Sequence, residues 1–366
     1  MLIEFRVKNF KNFNSELVLR LDQIKNYEFS IDAIREGIIK TSLVYGKNGS
    51  GKSNLGLALF DITLNLTDKE KNLTNYRHYL NLESKEKIAE FCYKFKFGSS
   101  ILEYKYEKDA PDRILKEELF INNHRVIFYD HINKLNDVQL KGTETLNKDL
   151  NEKNISFVKY IKNNTVLADT EENSVLDKFL NFVDNMLLFS SLERNHYQGF
   201  RNGNGSIAKE IIERGKLEDF QQFLNNAGLN FKLIEHEVDG EKQLFCDFNG
   251  RIANFFSIAS KGTRSLSLFY FWLIELNNVS LVFIDEFDSF YHNKLARRVV
   301  KEVLKTNAQA IITTHNTSIM DNELLRPDCY FNLVRGEINS FAFSTSKDLR
   351  KAHNIEKMYK AGSFDE

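Results

Sequence analysis

Gly46-Lys47-Asn48-Gly49-Ser50-Gly51-Lys52-Ser53 fits the phosphate-binding pattern Gly-x4-Gly-Lys-Ser at every fixed position. It lies between an apolar run, Ser42 to Tyr45, and a stretch from Ser53 to Phe60 with helical character, the strand–loop–helix setting that the pattern needs. Its glycines let backbone N–H groups turn inward on phosphate oxygens, and the helix start adds partial positive charge. Lys52 is placed to reach the β and γ oxygens of a nucleotide triphosphate, and Ser53 to ligate magnesium. A charge pair at about 4 Å contributes roughly 4 kcal/mol at an effective dielectric near 20, so Lys52 carries much of the expected affinity. Asn48, Gly49, Ser50 and Gly51 complete the expected cradle.

Downstream, Leu281-Val282-Phe283-Ile284-Asp285-Glu286 is a continuous apolar strand ending in two acids. Burying the four apolar residues forces the acids to the carboxyl end of the strand, where open α/β sheets bind ligands. An acid pair is common at a strand end. With the glycine loop upstream, however, it reads as the second half of a nucleotide site, Asp285 holding magnesium through water and Glu286 acting as general base. Ala310 to Thr313 is another apolar strand, followed by Thr314 and His315. His315 is expected one strand over from Glu286, able to contact a γ-phosphate and orient the attacking water.

Around these motifs the pattern is α/β. Ala89 to Phe97 alternates cleanly, and Ile101 to Tyr106 repeats the alternation after a Gly-Ser-Ser turn, giving a hairpin of an antiparallel subsheet. From about His131 the chain turns polar, with helical apolar spacing at Val175, Phe179, Phe182, Val183 and Met186. A second hairpin, Phe231 to Val238 and Lys242 to Phe248, turns at Asp239-Gly240. Helices then alternate with fully apolar strands, as in a parallel sheet covered on both faces. Residues 1–130 and 278–366 are therefore expected to form a nucleotide-binding α/β lobe, and 131–277 a mainly helical lobe.

The 366 residues hold Lys+Arg 50 against Asp+Glu 51, so no whole-chain field draws the protein to nucleic acid or an anionic membrane. The N-terminus alternates apolar Ile3, Phe5 and Val7 with charged Glu4, Arg6 and Lys8, a half-buried strand rather than a signal peptide. The longest apolar run, Leu266 to Leu276, is about half the roughly 20 residues a membrane helix needs. Cys92, Cys246 and Cys329 are too scattered for a disulfide framework or a metal site. These features suit a cytoplasmic location. In the helix after Asp288, Lys294, Arg297, Arg298, Lys301 and Lys305 fall on one face: a solvated surface, or a phosphate-tracking one with nucleic acid as a candidate partner.

The order glycine loop, Ser260-Lys261-Gly262-Thr263-Arg264, acid pair, histidine resembles an ABC-type ATPase head of the SMC and RecF kind, without a coiled coil. Ser260, Gly262 and Thr263 are similar to the signature motif of that family. The resemblance implies that they reach the γ-phosphate held by a second subunit, so that a homodimer completes two sites. It also puts Asp288 in the D-loop, coupling the two sites, and makes ATP with Mg2+ the ligands of a hydrolysing enzyme. No glutamine falls between Ser53 and Gln139 to serve as a Q-loop. Phe10-Lys11-Asn12-Phe13, Asp285-Glu286-Phe287-Asp288-Ser289, Thr313-Thr314-His315-Asn316-Thr317 and a tail of Arg350 to Asn354 with Glu356 to Tyr359 resemble bacterial restriction-linked and abortive-infection ATPases of the RloA and AbiL type. That likeness implies anti-phage defence alongside a separately encoded effector such as a nuclease. A RecF-like DNA-repair ATPase that binds DNA stays open as the alternative. A transporter ATPase is disfavoured, because the N-terminal subsheet and the polar insertion replace the expected coupling helices.

Overall fold

The structure is a computed structural model, and it describes residues 1–69, 73–150, 154–190, 197–200, 207–289 and 291–364. From the N-terminus, β1 (Leu2–Lys8) and β2 (Leu17–Arg20) form a hairpin. A short pair follows, β3 (Ile34–Arg35) and β4 (Ile38–Ile39), and β5 (Thr41–Tyr45) leads through the glycine loop into α1 (Lys52–Leu66). The chain then meanders through β6 (Ala89–Phe97), β7 (Ser100–Ala110), β8 (Arg113–Ile121), β9 (His124–Asp130) and β10 (Leu135–Val138). Two helices, α2 (Phe157–Asn164) and α3 (Glu171–Asp184), return it to β11 (Met186–Ser190) and β12 (Tyr197–Gly199). Next come α4 (Ile207–Glu213), α5 (Leu217–Asn226) and a second meander, β13 (Leu233–Val238), β14 (Glu241–Phe248) and β15 (Arg251–Asn254). The remainder is α6 (Phe255–Ile258), α7 (Lys261–Leu273), β16 (Leu281–Asp285), α8 (Asn293–Leu304), β17 (Gln309–Thr313), β18 (Tyr330–Val334), β19 (Glu337–Ser340) and α9 (Ile355–Lys360).

The strands β3-β4 and β13-β14-β15 form small sheets of their own, and the other fourteen make two seven-stranded sheets. One is antiparallel, in the order β10-β9-β8-β7-β6-β1-β2; the other runs β12-β11-β16-β17-β5-β18-β19, with parallel pairing from β11 to β18 and an antiparallel strand at each edge. All five residues of β5, β16 and β17 are buried, as expected of parallel strands covered on both faces. The fold is thus mixed α/β, a mainly parallel sheet with an antiparallel partner.

Between the two sheets lies α1, which explains why it is apolar nearly all round. Toward the parallel sheet it presents Gly56, where a Cβ would stand 2.6 Å from the Phe283 ring; only glycine lets helix and strand approach so closely. Toward the antiparallel sheet it presents Asp61. This fully buried carboxylate accepts from Lys108 Nζ at 3.0 Å and from the hydroxyls of Tyr79 and Tyr106 at 2.9 Å each. Burial pulls the Lys108 ammonium below its ordinary pKa, and Asp61 opposes that pull. Gln309, at the start of β17, joins the sheets directly. Its Oε1 accepts from Leu2 N (2.9 Å), while its Nε2 donates to Leu2 O (2.8 Å) and Ile39 O (3.0 Å).

Several expectations need correcting. Met186 does not continue the helical spacing: α3 stops at Asp184, and Met186 to Phe189 is a run of four apolar residues that enters the parallel sheet beside β16. The range 131–277 therefore contributes β11 and β12 to the central sheet, and β10 extends the antiparallel sheet beyond residue 130. Glu4, on the polar face of β1, is buried because Arg6, Arg20 and Lys94 surround its carboxylate at 2.7, 2.8 and 3.2 Å. Among the described residues no helix is long and apolar enough to cross a membrane.

Candidate nucleotide-binding site

The glycine loop connects β5 to α1 at the carboxyl edge of the parallel sheet. Lys47, Asn48 and Gly49 are exposed, and Ser50 N donates to Lys47 O (3.0 Å) to close the turn. Gly51 precedes the first helical residue with φ 104°, and no side chain caps the helix. Its first N–H groups are thus left for an anion, which the helix dipole also favours. Asn12, in the loop between β1 and β2, lies against the turn: its Nδ2 donates to Ser50 O (3.3 Å) and its Oδ1 accepts from Asn54 Nδ2 (2.7 Å). Lys52 is 5% exposed and its Nζ donates to Gly46 O (3.0 Å) and Lys47 O (3.3 Å). Burial lowers its pKa, against the raising influence of Glu286 and Asp285.

The acid pair meets this loop. Because β16 is buried along its whole length, Asp285 and Glu286 emerge together at its carboxyl end. Ser53 Oγ donates to Asp285 Oδ2 at 2.6 Å, and Thr313 Oγ1 donates to Asp285 Oδ1 at 2.6 Å. Glu286 takes φ 45°, a left-handed backbone that costs a non-glycine residue about 1–2 kcal/mol. Its amide donates to Thr313 Oγ1 at 2.8 Å, which helps hold the turn. Glu286 Oε1 stands 3.5 Å from His315 Nε2, placing the histidine one strand over, at the end of β17.

Asp288 is buried and accepts from Thr314 Oγ1 through both carboxylate oxygens, each at 2.8 Å. Burial raises its pKa, and the Thr314 hydroxyl works the other way. Its carboxylate is thus bonded to the residue just after β17 of its own chain.

Ser260, Gly262 and Thr263 form the start of α7, with Ser260 Oγ accepting from Thr263 N at 3.1 Å as an N-cap. Ser260 and Lys261 are exposed and Gly262 is half-buried. The hydrogen bonds of Ser260 stay within its own turn, so the structure does not bring these residues to the glycine loop of the same chain. One turn further on, Ser265 Oγ lies 3.0 Å from Tyr291 OH, which ties α7 to the segment after Asp288.

The basic face of α8 is partly neutralised. Arg297 pairs with Asp321 and, at 3.2 Å, with Glu323; Lys305 pairs with Glu302 at 2.9 Å; and Arg298 donates to Asn226 O at 2.7 Å.

Three residues that sequence reasoning did not assign to the site belong beside it. Asn12 and Thr313 hold the glycine loop and the acid pair, and Thr314 holds Asp288. All three lie in segments quoted for their family resemblance, Phe10 to Phe13 and Thr313 to Thr317, which was the available signal. Magnesium keeps several waters and takes only one or two protein oxygens besides phosphate. The Ser53 hydroxyl beside the Asp285 carboxylate suits that demand, and the described residues contain no dedicated cluster of three or more His, Cys, Asp or Glu.

A glycine loop at the carboxyl edge of a parallel sheet, met there by an acid pair from the next strand but one, defines a P-loop protein of mixed α/β fold. The chain belongs to the family described as "AAA domain, putative AbiEii toxin, Type IV TA system", which matches residues 42–321. No curated protein matches it. Similar solved structures include the SMC head domain from Thermotoga maritima, at 16% identity over 93% of this chain and 98% of that one (TM-score 0.44). Another is an SMC head bound to the C-winged helix domain of ScpA, at 17% identity over 92% and 96% (TM-score 0.48). A third is the recombination mediator RecF with ATP, at 14% identity over 93% and 99% (TM-score 0.38).

Proposed function

We propose that the chain is an ATP-binding, Mg2+-dependent ATPase of the ABC type that works as a homodimer in anti-phage defence. The observation that carries the enzymatic part is the meeting of three distant segments at one sheet edge: Lys52 with Ser53, Asp285 with Glu286, and His315. In this reading Lys52 binds the β and γ oxygens, with Asn48 to Gly51 cradling the phosphates. Ser53 and Asp285 would hold the metal, Asp285 through water, and the ion would supply positive charge to the phosphate oxygens. Glu286 takes the proton of the attacking water, and His315, 3.5 Å away, orients that water toward the γ-phosphate.

The exposed start of α7 supports completion of the site by a second copy. Ser260 caps this helix within its own turn, Ser260 and Lys261 stay exposed, and a helix N-terminus is a place where an anion can bind. The proposed lobe division gives 1–130 and 278–366 to the nucleotide and 131–277 to the signature, although β10, β11 and β12 of the latter range pair into the two large sheets. A role in defence is supported by the family, described as a putative AbiEii toxin of a type IV TA system; the RloA and AbiL kind and the separate effector rest on the sequence resemblance alone. The ion pairs on α8 weigh against DNA binding as the main output.

Glu286→Gln tests the reading. Turnover should fall on the order of 10²–10⁴-fold while nucleotide binding persists and a nucleotide-bound dimer accumulates in size-exclusion chromatography. Unchanged turnover would rule out Glu286 as the base.

A further inference from the structure

The tail motif Asn354 to Tyr359 has no place in the chemistry above, yet its side chains converge on the two segments that flank the site. Asn354 caps α9, accepting from Lys357 N at 2.8 Å, and this fixes the direction in which Glu356 points. Glu356 Oε1 accepts from Thr317 Oγ1 at 3.0 Å, two residues beyond His315. Three residues further along α9, Tyr359 lies 6.0 Å, ring centre to ring centre, from Tyr45, the last residue of β5 before the glycine loop. Tyr359 also stacks on Phe341 at 5.5 Å, and Phe364 covers the other side of that cluster, 4.3 Å from Phe341.

His315 itself is 37% exposed in its side chain, with Glu286 3.5 Å away. What fixes the imbedding loop is its flanks. On the N-terminal side Thr314 is bonded to Asp288. On the C-terminal side Asn316 Nδ2 donates to Asn293 Oδ1 of α8 at 3.1 Å, and the next residue, Thr317, donates to Glu356 of α9. Lys360, 2.7 Å from Glu356, keeps that carboxyl below the usual carboxylate range, so Thr317 donates to an anion, the stronger kind of hydrogen bond.

We infer that Glu356 is a positioning residue for hydrolysis: through Thr317 the C-terminal helix holds the His315 loop against Glu286, while Tyr359 keeps the same helix registered on the strand that launches the glycine loop. The inference rests on the ATPase reading above and adds a regulatory handle to it, since whatever displaced α9 would release the C-terminal flank of the histidine loop. It predicts a separation of rate from binding. Removing a group that binds nucleotide raises KM, whereas loosening a group that acts only on the attacking water lowers kcat.

The test uses the full chain with Glu356→Ala, Thr317→Val, the double variant, Glu356→Gln and Lys52→Ala. Steady-state ATP turnover and the affinity for a fluorescent ATP analogue are measured for each, with thermal melting to confirm folding. Glu356→Ala and Thr317→Val should each lower kcat on the order of five- to ten-fold, as one charge-assisted hydrogen bond warrants, with KM and analogue affinity within about two-fold of the parent. The double variant should be no worse than either single one. Glu356→Gln, which still offers an oxygen to Thr317, should recover most of the rate. An unchanged kcat in Glu356→Ala, losses that multiply in the double variant, or a fall in analogue affinity matching the fall in rate would each overturn the positioning role. Failure of the ATPase reading looks different: the parent would then turn over ATP no faster than Lys52→Ala.

Discussion

Ser53 Oγ and Asp285 Oδ2 lie 2.6 Å apart although 232 residues separate them in the chain. This hydrogen bond joins the start of α1 to the end of β16, and the same carboxylate takes a second bond from Thr313 on the strand between. Asp285→Asn keeps an oxygen for one of the hydroxyls and removes the charge. Affinity for Mg2+ with nucleotide should drop on the order of 10–100-fold, the usual loss when an outer-shell partner of a metal is changed, while magnesium-free nucleotide binding changes little. Titrating a fluorescent ATP analogue with and without Mg2+ distinguishes the two; an equal loss in both would remove Asp285 from the metal site.

Glu286 is held with φ 45°, where glycine fits without strain. Glu286→Gly should therefore be inactive and yet more stable, by about 1 kcal/mol, in chemical denaturation. A variant less stable than the parent would mean that the Glu286 side chain contributes more to the fold than its backbone strain takes away.

Asp288 offers a test by pH. Its folded pKa is raised by burial, so between the unfolded value and that raised value the native state binds more protons than the unfolded chain, and stability falls as pH rises through this window. Asp288→Asn lacks the titration. Its stability relative to the parent should improve from pH 4 to pH 7, as followed by denaturant midpoints. A constant difference across that range would contradict the sign of the shift.

Lys108 and Asp61 are both fully buried. Lys108→Met leaves the Asp61 carboxylate without its cation and should destabilise the fold by about 3–5 kcal/mol, read as a lower denaturant midpoint. Asp61→Asn combined with Lys108→Met should recover part of that loss, since two neutral groups are less costly to bury than one charge. If the double variant is weaker than Lys108→Met alone, the ion pair is not what holds α1 to the antiparallel sheet.

The sequence made the site more legible than the surrounding architecture. Continuous apolar strands ending in acids or histidine have one way to lie in a covered parallel sheet, so the neighbouring positions of Glu286 and His315 could be read from β16 and β17 alone. Side chains that join separate elements carry no such periodic mark. Asn12 touches Ser50 through a loop, and Gln309 reaches β1 from more than 300 residues away; neither contact follows from local pattern. Met186 shows the opposite failure. Its spacing from Val183 suits a helix and its run with Leu187 and Leu188 suits a strand, and pairing with Leu281 decides between them. The inward turn of Asp288 was hidden for a similar reason, because the Thr314 hydroxyl that receives it comes from another strand.

β17 stands between the strand that launches the phosphate loop and the strand that delivers the acids; its first residue fastens β1 and its last fastens Asp285. Sliding the antiparallel sheet along β17 would break both Gln309 bonds to Leu2, while shifting β16 along it would break the Thr313 bond to Asp285, so the register of each neighbour is pinned at its own end of this one strand.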